Sequence, residues 1–230
     1  MKYYLYDKYG ICNEYTCKDN FFGEGSNGSI YKIDDATLLK IFKFGNHSER
    51  LLNMVSDMNL DNFYKIYTLL YNQNGDFVGY LMKLYEEEYI DILTMPCEYT
   101  IDNLIRLKNS IKRLTDNNIR IYDMREGNTI LDNSNITIID IDLYRIVDDY
   151  NHAYLKNENY NSLINLFREI FYKSLCIYHY GIRSDRLIID SLFSKDNNIE
   201  DISKKLVKHK YPIDYLNDKR KRYYGYKAIW

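Results

Sequence analysis

Three polar stretches of this chain combine residue types that handle phosphate, protons or hard cations. The first is Gly23-Glu24-Gly25-Ser26-Asn27-Gly28-Ser29-Ile30. Its glycines permit a tight turn and let backbone amides approach phosphate oxygens. Lys40 follows twelve residues after Gly28, inside the apolar run Leu38-Leu39-Lys40-Ile41. A lysine in such a strand either snorkels to an edge or meets an anion. Glu49, at the start of the next helical stretch, can pair with it, and Asp57 is a rival partner. The second stretch is Asp123-Met124-Arg125-Glu126-Gly127-Asn128. A carboxylate there can accept the proton of an attacking hydroxyl, an amide oxygen can bind a metal, and an arginine can neutralise charge on a transferred group. The third is Ile138-Ile139-Asp140-Ile141-Asp142, an acid closing an apolar strand.

The elements around these stretches set their geometry. Thr129–Leu131 and Ile136–Ile139 read as two short strands about Asp132-Asn133-Ser134-Asn135. Symmetry about Ser134 sets Asn128 opposite Asp140, and cross-strand neighbours lie about 5 Å apart at Cβ, close enough to share one cation. The structural alternative is that Asp140 caps a turn and Asp142 is solvated. Residues 15–85 read as strands and turns: the glycine turn lies between two of them, Thr37–Phe42 is a strand, and Asn74-Gly75 marks a hairpin between Lys65–Tyr71 and Phe77–Leu84. A helix is predicted over 48–60 with Ser48 as cap. Beyond Tyr85–Tyr89 the period becomes helical. Thr100–Thr115 reads as an amphipathic helix capped by Thr100, and a broad apolar stripe runs from Leu163 to Leu175. The expected organisation is α+β with a β-rich part over 1–85 and a mainly helical part, containing the short hairpin, over 86–230.

Bulk properties narrow the class. The chain has 230 residues, 46% of them hydrophobic and 28% charged, so one sizeable core can form. A net charge of −2 argues against nucleic acid as partner. No apolar run reaches a membrane span, and the first ten residues lack an apolar stretch of signal-peptide length. Cys12, Cys17, Cys97 and Cys176 are sparse and unpatterned, so buried free thiols and a cytoplasmic location are expected. His47, His152, His179 and His209 show no ligand spacing, and the basic run Lys219–Tyr224 reads as a solvated face.

In their order, these residues resemble the protein-kinase-like superfamily: a glycine-rich loop, a strand lysine, a helix glutamate, an acid and an amide with four residues between them, then an acid after a strand. The resemblance covers about residues 20–146. It implies a bilobal kinase-like fold and an ATP- and magnesium-dependent phosphotransferase acting on a protein Ser/Thr or small-molecule hydroxyl. On the same ground, Gly23, Gly25, Gly28 and Ile30 cover the nucleotide, Lys40 contacts the α- and β-phosphates, and Glu49 is its ion-pair partner. Asp123 and Arg125 serve the transfer, Asn128 and Asp140 hold magnesium, and Lys83, Leu84 and Tyr85, within a hinge reaching Glu87, meet adenine through the backbone. The sequence departs from the pattern at several points. Ile121 and Tyr122 replace the usual His-Arg pair, Ile141 and Asp142 replace the Phe-Gly that follows the metal-binding acid, and no A-P-E motif follows. These departures support an alternative, a pseudokinase serving as a nucleotide-responsive binding module.

Overall fold

The computed structural model describes residues 2–7, 9–16, 20–25, 27–43, 47–85, 92, 95–149, 151–178, 183–194 and 196–208. Ser26, Glu86, Glu87, His179, His209 and the basic run Lys219–Tyr224 lie outside them. The architecture is α+β. A seven-stranded antiparallel sheet precedes a set of helices, and two small two-stranded sheets lie between them in the chain.

The sheet comprises β1 (Lys2–Tyr6), β2 (Cys12–Thr16), β3 (Phe21–Glu24), β4 (Gly28–Lys32), β5 (Thr37–Phe42), β6 (Ile66–Tyr71) and β7 (Phe77–Lys83). Its spatial order is β2-β1-β6-β7-β5-β4-β3. The β1–β2 hairpin goes beyond the sequence reading, which began its strands at residue 15. Its turn is closed by Asp7, whose carboxylate accepts the Tyr9 and Ile11 amides at 2.8 and 3.0 Å. Both faces of β5 are covered, which is why it reads as a continuous apolar run. Leu39 and Ile41 join Leu5, Leu70 and Leu81 in a small core on one face. Strand alternation puts Leu38 and Lys40 on the other face.

Helix α1 (Glu49–Met58) begins as expected, with Ser48 Oγ accepting from the Leu51 amide at 3.2 Å, and ends at Asn59 in a left-handed conformation. It buries Leu51, Leu52 and Val55. Helix α2 (Cys97–Asp116) starts earlier than expected. Pro96 is its cap, and Thr100 is buried within the helix instead of capping it. Helix α3 (His152–Tyr178) begins well ahead of its apolar stripe, where Asn151 accepts the Ala153 and Tyr154 amides. Its stripe of Leu163, Ile164, Leu166, Phe167, Ile170 and Phe171 is buried as read. Helices α4 (Arg183–Leu192) and α5 (Ile199–Lys208) complete the described chain. Cys12 is exposed and Cys97 half-buried, which corrects the expectation of buried thiols for these two, while Cys17 lies outside the described residues. Among the described residues, no helix is long and apolar enough to cross a membrane.

Three buried asparagines, Asn62, Asn103 and Asn159, hold the segments that carry the polar stretches. Between α2 and α3 run β8 (Ile119–Arg120), β9 (Thr129–Leu131), β10 (Ile136–Ile138) and β11 (Arg145–Ile146), with β8 paired to β11 and β9 to β10. Asn103 on α2 accepts both the Ile136 amide and the Asn62 side-chain amide at 2.8 Å. The Asn62 carbonyl in turn accepts the Ile138 amide at 2.8 Å, so the chain leaving α1 is zipped to β10. Asn159 on α3 accepts the Ile121 amide and donates to the Ile119 carbonyl and the Thr115 hydroxyl, all at 2.9 Å. It thereby clamps the chain that leads into Asp123. Removing a buried partner leaves the other groups unsatisfied at roughly 1–3 kcal/mol each. Asn159→Ala is therefore expected to lower unfolding free energy by about 3 kcal/mol, read as a reduced urea midpoint with an unchanged m-value.

Candidate active site

The site forms where β4, β5 and β7 face the β9–β10 hairpin. A cavity of about 180 Å³ lies between them. Its apolar part is made by Ile30, Leu38, Met82, Ile130 and Ile139, and its polar part by Lys40, Asn128 and Asp140 beneath Gly25, Asn27 and Gly28. Residues far apart in sequence thus converge on one crevice.

The glycine turn divides its labour unevenly. Gly28 sits in β4 opposite Phe42, and a Cβ there would lie 2.5 Å from the Ile41 carbonyl oxygen, so no larger residue fits. A Cβ on Gly25 would meet nothing within 4 Å, so there is open space beside the turn at that position. Gly23 pairs with Ile30 inside β3 and does not line the cavity. The turn is closed by the Gly25 amide donating to the Gly28 carbonyl at 2.9 Å. Lys43 braces it from β5's end, donating to the Gly25 carbonyl at 3.1 Å and pairing with Glu24 at 2.6 Å.

Lys40 does not pair with Glu49 or Asp57. Its ammonium lies 3.0 Å from Asp140 and 2.5 Å from Asp142. Glu49 instead accepts a hydrogen bond from the Tyr71 hydroxyl at 2.8 Å on the surface, and Asp57 is exposed. Glu49 is therefore outside the cavity. Asp142, read from the sequence as replacing a glycine or as solvated, is instead fully buried, with a side-chain exposure of 0% against 37% for Asp140. Tyr80 donates to Asp142 at 3.2 Å, and Tyr64 donates to the Tyr80 hydroxyl at 2.9 Å. Sequence reasoning missed Asp142, Tyr80 and Tyr64. The one available signal was a second acid two residues beyond Asp140 inside a buried apolar run. It also missed Gly79, where a Cβ would stand 2.1 Å from the Lys40 carbonyl oxygen.

Electrostatics follow burial. Desolvation pushes the Asp142 carboxyl up to about 6, with Lys40 opposing and Asp140 adding to the rise. Burial pulls the Lys40 ammonium down, but attraction to Asp142 and then Asp140 outweighs it, and the net direction is upward. Desolvation raises the Tyr64 and Tyr80 hydroxyls well above the ordinary tyrosine range, so both stay protonated donors.

The hairpin places Asn128 and Asp140 near each other, but not in register. Ile136 pairs with Leu131 and Ile138 with Thr129, so the turn centres between Asn133 and Ser134. Asn128 faces Ile139, whose amide donates to its carbonyl at 2.9 Å, and Asp140 lies one residue further on. A left-handed turn at Asp140, φ 61°, follows the strand, and both residues line the cavity. Asp123 is also left-handed, φ 55°. Such backbone at a non-glycine residue costs about 1 kcal/mol. Asp123 does not line the cavity itself. It is tied to it by the Asn128 side-chain amide, which donates to its Oδ2 at 2.9 Å. Arg125 lies beside it, 3.1 Å from Oδ1, largely exposed and likewise outside the cavity lining.

Of the hinge residues, Lys83 and Tyr85 line the cavity, and Leu84 does not. The Lys83 and Leu84 amides already donate to the Lys65 and Ala36 carbonyls at 2.9 and 2.8 Å, so neither is available to a base.

Among the described residues, no group of three or more His, Cys, Asp or Glu could hold a metal. One carboxylate and one amide oxygen are nonetheless the donors that magnesium takes when phosphates and water complete its shell. The Asn128 side chain uses its NH₂ on Asp123, which turns its oxygen away from that acid. Asp140 is the accessible carboxylate, so the donor set fits such an ion. No protein-family model matches the chain, and no curated protein matches its sequence.

The raised Asp142 carboxyl has a testable consequence for stability. Its folded-state value of about 6 exceeds the unfolded 3.8. Between these values the folded state binds the extra proton, so wild-type stability falls with rising pH on this account. Without magnesium or nucleotide, Asp142→Asn is expected to gain on wild type as pH rises through that window. The gain between pH 4 and pH 7 should be about 2 kcal/mol, measured as the difference in unfolding free energy at the two pH values.

Proposed function

We propose that this chain is a protein-kinase-like phosphotransferase that moves the γ-phosphoryl group of ATP to a hydroxyl acceptor. The observation that carries the reading is the convergence, around one cavity under the glycine turn, of Lys40, Asn128 and Asp140, with Asp123 fastened to the rim through Asn128. On this reading residues 1–85 form a β-rich lobe, residues 86–230 a mainly helical lobe, and the nucleotide lies between them. The apolar side chains Ile30, Leu38, Met82 and Ile139 hold the base. The Lys40 ammonium faces the phosphates, and the glycine turn with its open space beside Gly25 covers them.

Asp123 is the group that meets the acceptor. Arg125 and Asn128 hold its two carboxylate oxygens, which orients it. The acceptor oxygen forms a bond to the γ-phosphorus as the bond to the β–γ bridging oxygen breaks. ADP leaves, and the hydroxyl proton passes to the Asp123 carboxylate. Asn128 and Asp140 would hold magnesium, which supplies charge neutralisation on the triphosphate. Both a protein Ser/Thr and a small molecule remain acceptor classes for this site.

One observation favours the second reading, a nucleotide-responsive binding module without turnover: Lys40 is engaged by the same carboxylate that magnesium needs. Labelled ATP with and without magnesium, followed by mass spectrometry for self-phosphorylation, separates the two. Wild type should transfer or hydrolyse only with magnesium, and Asp123→Asn should lower the rate by at least about 100-fold, with Lys40→Ala also impaired. An ATP-induced rise in melting temperature with no turnover would favour the module, and no ATP binding would overturn both readings.

A further inference from the structure

We infer that Asp142, not a helix glutamate, is the permanent anchor of Lys40, and that Asp140 is a temporary partner released when a cation binds. The inference rests on the phosphotransferase reading for its functional meaning, but its geometry stands separately. The two carboxylates on Lys40 differ in kind. Asp142 is sealed from solvent and fixed from behind, with Tyr64 donating to Tyr80 and Tyr80 to Asp142 Oδ1, so that Oδ2 faces the ammonium at 2.5 Å. Asp140 borders the cavity, is the more exposed of the two, and follows the left-handed turn that directs it there. A cation entering the cavity reaches Asp140 and not Asp142. When it does, Lys40 loses one of its two partners and keeps the other. The ammonium therefore stays positioned on the cavity face of β5 and gains freedom to meet an anion.

Glu49 cannot share this task from where it stands. It opens α1 on the surface and is engaged by Tyr71. The tyrosine relay replaces what a helix would otherwise supply. It is built into β7 and the segment before β6, so the anchor depends on the sheet and not on the placement of α1. Asp142 is accordingly a positioning residue acting through Lys40.

Two measurements on the full-length chain test this. In magnesium–ATP turnover, Asp142→Asn is expected to lower kcat by about 100-fold with a much smaller change in KM for ATP, while Glu49→Gln stays within about threefold of wild type. Equal losses in the two variants, or wild-type kcat in Asp142→Asn, would overturn the anchor. The second measurement needs no activity. Lys40 acylation by a neutral amine-reactive probe without nucleotide, quantified by mass spectrometry, should rise about tenfold in Asp142→Asn and stay unchanged in Glu49→Gln. Unchanged labelling in Asp142→Asn would overturn the anchor even if turnover proved normal. A wild type that neither binds nor turns over ATP would sink the phosphotransferase reading, and labelling would still decide the anchor.

Discussion

The site depends on one ionic contact, the Lys40 ammonium held between Asp140 and Asp142. A charged side chain with 6% exposure is tolerable in a sheet only if its charge is answered at close range. Here the answer comes from a segment a hundred residues away, so this contact joins the sheet to the β9–β10 hairpin directly across the cavity. It also fixes the cavity's character, since the wall beside it is apolar and the polarity is concentrated at this end. Gly79, on the neighbouring strand β7, packs against the Lys40 backbone. Only a residue without a side chain lets β7 approach the Lys40 backbone as closely as it does.

The hairpin's register decides how the polar groups are presented. A four-residue turn centred between Asn133 and Ser134 places Asn128 opposite Ile139. A regular strand would send the residue after Ile139 to the opposite face. The left-handed backbone at Asp140 breaks that alternation and directs its carboxylate to the cavity. Aspartate tolerates this region better than most residues, which suits a position that needs both the bend and the charge. Asp123 meets the same double demand at the other end of the loop, and Asn128 joins the two by spanning from the hairpin to the acid.

The parts legible in the sequence were those governed by local periodicity. The capped helix after Ser48, the strand carrying Lys40, the hairpin at Asn74-Gly75 and the apolar stripe of α3 each follow from spacing within a single element. The glycine turn and the acids were visible because their residue types are unusual where they stand. What could not be read was pairing at a distance. Glu49 looked like the natural partner of Lys40 because it is near in sequence, whereas the real partners arrive through tertiary packing. Asp142 looked replaceable or solvated because nothing local reveals that Ile141 and Tyr144 turn inward around it. The hairpin register slipped by one because symmetry about a single residue cannot describe a turn of even length. The N-terminal hairpin escaped notice because half-polar tyrosine-rich strands at a sheet edge carry little periodic signal.

Burying Asp142 raises its carboxyl, so desolvation disfavours its ionised form even though that charge answers the Lys40 ammonium. What the charge supplies is direction. With Oδ1 held by Tyr80, the remaining oxygen has one orientation, and the Lys40 ammonium has one place to rest. On the phosphotransferase reading, that orientation is what lets Lys40 meet a phosphate without first reorganising, because the dipoles and charges aimed at the reacting group are already set in a dry environment. A helix-borne glutamate would make the same alignment depend on helix movement. A carboxylate buried beneath the sheet and backed by two protonated tyrosines makes it a property of the fold itself.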